Sequence, residues 1–141
     1  MAKRRFERLF TRQEADHLVP RLDNLMRQLQ LEATSLRTRI GALAGDDDQL
    51  EEMALPDIVD RHPELRPITT RMAKLAGQIE SFGCFLKDID QGLVDFPGEV
   101  EDEVVFLCWQ FGEPRVIAWH SIESGFASRK PLPDTPKPYL N

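Results

Sequence analysis

The chain of 141 residues predicts an α+β protein, in which a long antiparallel helical hairpin with a short connecting helix precedes a small C-terminal antiparallel β-sheet. Two long segments space their apolar residues at alternating steps of three and four, which is typical of amphipathic helices. Residues 104–111 are almost wholly apolar and are followed by a turn and a second apolar segment, which indicates a buried β-hairpin. We therefore expect a single domain, with the helical hairpin over residues 11–90, the sheet over 93–122 and an extended proline-rich tail over 125–141.

The first helix is predicted to begin at Thr11, because Thr11 and Glu14 have the spacing of a capping box. Pro20 removes one backbone hydrogen bond inside the helix, so we expect a kink there. Gly41 and Gly45 suit the end of the helix. The apolar stripe consists of Leu18, Leu22, Leu25, Leu29, Ala33, Leu36, Ile40 and Leu43.

A second long helix is predicted from about Ile68 to about Asp90, after a short helix that extends through about Val59. Its apolar residues keep a strict heptad spacing over three heptads, which is the pattern of a coiled-coil seam. Gly83 interrupts this helix at a cost of about 1 kcal/mol relative to alanine. The seven stripe residues are Ile68, Met72, Leu75, Ile79, Phe82, Leu86 and Ile89.

Three strands are predicted near residues 93–96, 104–111 and 115–122. We expect Pro97-Gly98 to form the turn after the first strand. Gly112-Glu113 is predicted to be a two-residue turn that connects the second strand to the third.

The predicted two-residue turn defines a register for this hairpin. It pairs Val105 with His120 and places His120 on the same face as Trp109. Phe106 and Cys108 then share the opposite face. A slip of one residue would reverse the facing of one strand, so the register is a hypothesis.

Composition and charge exclude several classes of protein. The chain has no apolar run of about 18 residues, which a membrane span requires, and its N-terminus lacks the apolar core of a signal peptide. The net charge is -6, with seven acidic residues and no basic one between Asp88 and Glu103, which disfavours general nucleic-acid binding. We therefore expect a cytoplasmic protein whose two cysteines, Cys84 and Cys108, are free and buried.

Four motifs resemble those of a prokaryotic family of unknown function, the one catalogued as domain of unknown function 2203. They are FTRQEA from Phe10, GCFLKDIDQGLVDFP from Gly83, LCWQFGEP from Leu107 and WHSIESGFASRKPL from Trp119. The resemblance covers most of the chain and implies no activity, substrate or cofactor. The family's pattern often has a second histidine where this chain has Ala118, which disfavours a metal site built on two histidines.

The first candidate site is a cluster of three carboxylates and one imidazole, Asp88, Asp95, Glu113 and His120. Such a set is able to bind a divalent metal or to transfer protons. The alternative is structural, with Asp95 and His120 hydrogen-bonded in the interior and the others solvated. No HExxH, GxGxxG, P-loop or GxSxG motif is present, so no motif requires a cofactor.

Two basic residues belong to the same region. Arg129 is predicted to pair with Asp88 or Asp95 and so to fix the C-terminal segment. Alternatively, Arg129 and Lys87 form an anion site. The aromatic residues of the hairpin, which include Trp109 and Trp119, favour core packing over nucleobase stacking because their surroundings are acidic.

The sequence is compatible with two functions. The heptads and the absence of a catalytic motif favour a non-enzymatic interaction or scaffold protein that forms a homodimer through its helices. The alternative is a small metal-binding or acid–base enzyme or sensor that uses the carboxylate–histidine cluster.

Overall fold

The computed structural model describes residues 6–133 and contains three α-helices and five β-strands. The helices are α1 (Arg12–Ala44), α2 (Leu55–Arg61) and α3 (Arg66–Glu80). The strands are β1 (Phe85–Asp88), β2 (Leu93–Val100), β3 (Glu103–Gln110), β4 (Ala118–His120) and β5 (Lys130–Pro131). Short 3₁₀ turns lie at Asp48–Glu52, Pro63–Leu65 and Phe126–Ser128. The architecture confirms the predicted α+β class. Within this part of the chain, no helix combines the length and the apolar character needed to cross a membrane.

Helix α1 begins as its sequence predicts. The Thr11 hydroxyl accepts a hydrogen bond from the Glu14 backbone N–H at 3.1 Å, and the Glu14 carboxylate accepts one from the Thr11 N–H at 2.8 Å. The helix is 33 residues long in all, contains Pro20 in its interior and is capped by Gly45. It buries one stripe, made up of Ala15, Val19, Leu22, Met26, Leu29, Ala33 and Leu36.

Helix α3 is shorter than the heptad pattern predicts, and the prediction of a helix as far as Asp90 is wrong. The helix ends at Glu80, and Gly83 adopts a φ of +97°, in the left-handed region that glycine tolerates best. The Glu80 carboxylate accepts a hydrogen bond from the Leu86 N–H at 3.1 Å, and residues 85–88 join the sheet as β1. The last three heptad positions therefore belong to the turn after α3, to β1 and to the turn after it.

The five strands form one antiparallel sheet in the order β1-β2-β3-β4-β5. One face packs against α1 and α3 and contributes Val94, Phe96, Leu107 and Trp109 to the main core. A second cluster, which includes Leu36, Ile58 and Ile68, lies where α2 meets the other two helices. At the surface of the helix pair, Arg71 Nε lies 2.7 Å from Glu32 Oε2.

Strand β2 is longer than predicted, because Pro97-Gly98 lies inside it and is not a turn. The Pro97 carbonyl accepts a hydrogen bond from the Phe10 N–H at 2.6 Å, and a Cβ on Gly98 would lie 2.9 Å from the Phe10 carbonyl oxygen. The glycine therefore permits the N-terminal segment to approach the sheet. The chain turns instead at Glu101-Asp102, where both residues have positive φ, as in the primed turns of two-residue hairpins.

The tail was predicted to be extended from residue 125. Residues 126–128 form a 3₁₀ turn, and Lys130–Pro131 is the edge strand β5. Residues 134–141 of the predicted tail lie outside the described residues.

Candidate functional site

A carboxylate, a thiol and an imidazole, three groups of types that can ligate metals, meet on the sheet face that is turned away from the helices. Asp95 on β2 lies opposite Cys108 on β3, and Cys108 lies opposite Ala118 on β4. His120 follows two residues after Ala118 and so faces the same side. A carboxylate oxygen of Asp95, the Cys108 sulfur and one imidazole nitrogen of His120 all lie within 4.8 Å of one another. We call these three residues the buried triad.

The triad residues are isolated from solvent. Asp95 and His120 are each 3% exposed, and they are the only polar or charged residues other than cysteine that are buried within residues 6–133. Removing such groups from water is unfavourable unless each one is paired, so the cluster needs internal partners.

Both ring nitrogens of His120 are hydrogen-bonded. Nδ1 lies 2.8 Å from the Ser121 carbonyl oxygen, and Nε2 lies 3.0 Å from each carboxylate oxygen of Asp95. Because a carbonyl oxygen only accepts, Nδ1 carries a hydrogen. A second proton then lies between Nε2 and Asp95, and the pair is electrically neutral whichever atom that proton is bonded to.

Cys108 completes the triad as a protonated thiol. Burial raises the pKa of this thiol to about 12, and the neighbouring Asp95 carboxylate acts in the same direction. The sulfur lies within 4.8 Å of an Asp95 carboxylate oxygen. At neutral pH Cys108 is therefore a weak nucleophile, and the arrangement does not resemble an activated cysteine–histidine pair.

A cavity of about 170 Å³ adjoins the triad. Apolar side chains form much of its wall, and two polar side chains, Lys87 and Ser124, also line it. The segment from Ser121 to Phe126 forms one side. The apolar members are Leu93, Phe106, Ile122 and Phe126.

A half-buried ion pair fixes the segment beside this cavity. Arg129 Nη2 lies 2.8 Å and 2.9 Å from the two carboxylate oxygens of Glu113, and both side chains are half-buried. The same nitrogen is 3.4 Å from the Cys108 carbonyl oxygen. The Glu113 carboxylate also accepts a hydrogen bond from the Gln110 N–H at 2.7 Å, and its carbonyl accepts one from Trp109 Nε1 at 2.9 Å. This network joins the turn after β3 to the C-terminal segment beside the triad.

Only part of the predicted carboxylate–histidine cluster is assembled. Asp95 and His120 are hydrogen-bonded in the interior, an arrangement that the cluster prediction and its structural alternative share. Asp88 is not part of the cluster, since its carboxylate accepts a hydrogen bond from the Gln91 N–H at 2.8 Å and closes a local turn. Glu113 is bound to Arg129, so the prediction that Arg129 pairs with Asp88 or Asp95 is wrong in its partner.

Cys108 was missed as a member because the predicted hairpin register is wrong. The structure pairs Phe106 with His120 and Cys108 with Ala118, which is one residue away from the predicted register. His120 therefore shares a face with Cys108, and Trp109 points into the helix-facing core. The two-residue turn is replaced by a longer connection. Val116 lies in this connection and does not pair with β3; its N–H donates a hydrogen bond to Asp16 Oδ1 at 2.6 Å and its carbonyl accepts one from Arg12 Nε at 3.0 Å.

The other cysteine has no such neighbours. Cys84 is also free and buried, as predicted, and burial raises the pKa of its thiol to about 12. Its sulfur donates to the Ile79 carbonyl oxygen at 3.2 Å at the end of α3. The tryptophans pack as predicted, with Trp109 fully buried and Trp119 half-buried against the main core.

The fold and the site define an α+β protein in which a helix-covered antiparallel sheet presents a buried carboxylate–thiol–imidazole triad on its other face. The chain belongs to the family described as uncharacterized conserved protein (DUF2203), whose sequence model matches residues 8–132. This match confirms the resemblance drawn from the four motifs. No curated protein and no solved structure matches the chain.

Proposed function

We propose that the protein binds a divalent transition metal, with Asp95, Cys108 and His120 as its ligands. One observation supports this most directly: oxygen, sulfur and nitrogen donors from three adjacent strands converge within 4.8 Å in an otherwise apolar interior. Zn²⁺ accepts these three donor types, in contrast to Mg²⁺ and Ca²⁺, which require oxygen ligands.

The separation of the His120 nitrogen from the Asp95 oxygens is close to that between two ligands of a tetrahedral zinc site, and the Cys108 sulfur lies within 4.8 Å of both groups. Zinc bonds of about 2.0–2.3 Å imply separations of about 3.3–3.6 Å between neighbouring ligand atoms. The present separation of Nε2 from the Asp95 oxygens is 3.0 Å, so a small outward movement of the side chains makes room for the ion. The bond from Nδ1 to the Ser121 carbonyl leaves Nε2 as the coordinating nitrogen and orients the ring, as outer partners of zinc-bound histidines do.

Charge balance also favours a metal ion here. The metal-free triad is neutral, with a protonated thiol and a neutral histidine–aspartate pair. Replacing the thiol proton and the shared proton with a dication leaves one thiolate, one carboxylate and one neutral imidazole around it, which is again neutral. A buried site therefore avoids the large cost of an uncompensated charge in both states.

Three protein ligands leave one coordination position open. Structural zinc sites have four protein ligands, whereas catalytic and ligand-binding sites keep a position for water or substrate. The cavity beside the triad supplies space for such a ligand. The proposed metal site is therefore compatible with the small enzyme or sensor that the sequence suggested. Its ligand set differs from the predicted one, because Cys108 takes the place of Asp88 and Glu113.

Metal titration with matched cysteine variants tests this proposal. Metal-free wild type and the Cys84→Ser variant are expected to bind one equivalent of Zn²⁺ or Co²⁺, with a cobalt–thiolate absorption band. Cys108→Ser is expected to lose that band and most of the affinity. At a free zinc concentration of about 100 times Kd, binding adds about 2.7 kcal/mol to the free energy of unfolding, and Tm rises by about 5–10 °C. Wild-type protein that binds neither ion stoichiometrically contradicts the proposal.

As a second candidate, we propose that α1 and α3 form an antiparallel hairpin through which two copies associate as a scaffold in the cytoplasm. Leu36 clusters with Ile68 and Leu22 clusters with Ile79, which supports opposite helix directions. Leu31 supports association because its side chain, in the middle of α1, is 67% exposed. The cytoplasmic location is supported by the two free cysteines.

Sedimentation of the full chain at tens of micromolar tests this association. Wild type is expected to sediment as a dimer and Leu31→Lys as a monomer. Leu55→Lys is the matched control, since this leucine is also exposed but lies on α2. Monomeric wild type contradicts the scaffold proposal and leaves the metal proposal unaffected.

A further inference from the structure

The cavity beside the triad contains one cationic side chain. Lys87 lies on β1 next to Leu86, which packs against the main core, so the Lys87 side chain extends to the opposite face, where the triad lies. Its ammonium nitrogen is 4.7 Å from the centroid of the Phe106 ring and 5.7 Å from that of Phe85. The Phe106 ring centroid is in turn 5.6 Å from that of His120. Cation–π contact therefore places the charge over an aromatic ring that adjoins the site.

Within the described residues this positive charge forms no salt bridge, and the one carboxylate that shares its cavity, Asp95, is paired with His120. No carboxylate within residues 6–133 lies at salt-bridge distance from the Lys87 ammonium. Two other carboxylates of the predicted cluster are engaged elsewhere, since Asp88 closes its local turn and Glu113 is bound to Arg129. Lys87 is therefore available to a ligand that enters the cavity.

The charges on the two sides of the cavity determine what kind of ligand fits. With a dication bound, the triad and the metal are together neutral, and Lys87 adds one positive charge. A monoanion at the open coordination position therefore neutralises the whole site, whereas a cation or a dianion does not. The volume of about 170 Å³ is below that of sites for drug-sized molecules, and the walls are mostly apolar.

We infer that the open metal position takes a small monocarboxylate with a short apolar body. Its carboxylate bridges the metal and the Lys87 ammonium, and its apolar part lies among Phe106, Ile122 and Phe126. This inference rests on the proposed metal site and adds the class of ligand to it. Binding is a ligand exchange, in which a coordinate bond to the carboxylate forms as the bond to water breaks, and no covalent bond within the carboxylate ligand changes.

Cobalt-substituted protein tests the inference through its visible absorption bands, which respond to the fourth ligand. Sodium butyrate is the anionic probe, and butylamine is a probe of similar size that is cationic at neutral pH. Butyrate is expected to change the spectrum saturably, and butylamine to leave it unchanged. In Lys87→Met, butyrate is expected to bind at least about tenfold more weakly, because one nearby positive charge is removed.

Lys130→Met is the matched control. The Lys130 ammonium lies 5.2 Å from the Trp119 ring centroid, so it makes the same type of contact, but this residue does not line the cavity. The control is expected to bind butyrate like wild type. The inference is overturned if butyrate binds wild type and Lys87→Met with equal affinity, or if butyrate and butylamine change the spectrum equally. In either case, cobalt binding itself still supports the metal site. Failure of cobalt to bind overturns both.

Discussion

Removal of the Asp95 carboxylate is the most direct test of how the interior of this protein is stabilised. In Asp95→Ala, the buried His120 ring loses both oxygen contacts at 3.0 Å and keeps only the Ser121 carbonyl. Leaving a buried hydrogen-bonding group without its partner costs about 1–3 kcal/mol, because the neutral His120 ring then keeps an unpaired nitrogen away from water. A domain of this size has a free energy of unfolding of about 5–15 kcal/mol, so the variant is expected to fold with much reduced stability.

Asp95→Asn separates charge from hydrogen bonding at the same position. Because Nδ1 of His120 donates to a carbonyl, a neutral ring presents Nε2 as an acceptor, and the amide N–H of asparagine is able to donate to it. We expect this variant to lose less stability than Asp95→Ala by about 1–2 kcal/mol.

Urea unfolding of metal-free protein measures these differences, with far-UV circular dichroism and the fluorescence of the buried Trp109 as probes. Asp23→Ala is the matched control, since Asp23 pairs with Arg27 at 2.7 Å but both side chains are substantially exposed. Its expected cost is below about 1 kcal/mol. If Asp95→Ala costs no more than Asp23→Ala, the carboxylate–imidazole pair does not stabilise the fold and our account of the interior is refuted.

Three further predictions concern the frame around the site. Gly92→Ala is expected to cost at least about 2 kcal/mol in urea unfolding, because its φ is +68° and a Cβ would lie 2.4 Å from the Phe111 Cβ; Gly112→Ala, also at positive φ but with open space around it, is expected to cost less, and the reverse order would contradict the clash. The hydrogen bond from the Thr11 backbone lowers the pKa of Glu14, so the stability that this capping box adds is complete above pH about 4.5 and is lost as pH falls through the lower folded-state pKa. Thermal unfolding measured against pH is expected to show a smaller loss of stability in acid for Glu14→Gln than for wild type. Identical pH profiles would refute this role of Glu14. Burial raises the pKa of both cysteine thiols to about 12, so neither is expected to react measurably with a disulfide reagent at pH 8 until urea unfolds the chain, and fast reaction of the native protein would show that the thiols are accessible.

Local sequence patterns predicted the elements whose causes are local. The capping box at Thr11, the long apolar stripe of α1 and the doubly covered strand β3 all follow from residues within one or two turns of each other. Asp95 and His120 were also selected from the sequence, because polar residues inside apolar strands require a partner. The end of α3 was missed, since heptad spacing continues past Gly83 although the backbone there turns to a φ of +97°.

The composition of the triad, in contrast, was decided by contacts between distant parts of the chain. Val116 is held by Asp16 and Arg12, about a hundred residues earlier, and this withdraws it from the hairpin and moves β4 by one residue relative to β3. Because side chains alternate between the faces of a strand, that single step places His120 on the face of Cys108 and away from the face of Trp109. The amino-acid sequence alone therefore determined the start of α1, the long helices over most of their length and strand β3, and it selected Asp95 and His120 as polar residues of the site. Only the tertiary structure decided which of those groups meet, because strand register depends on long-range hydrogen bonds that no local pattern encodes.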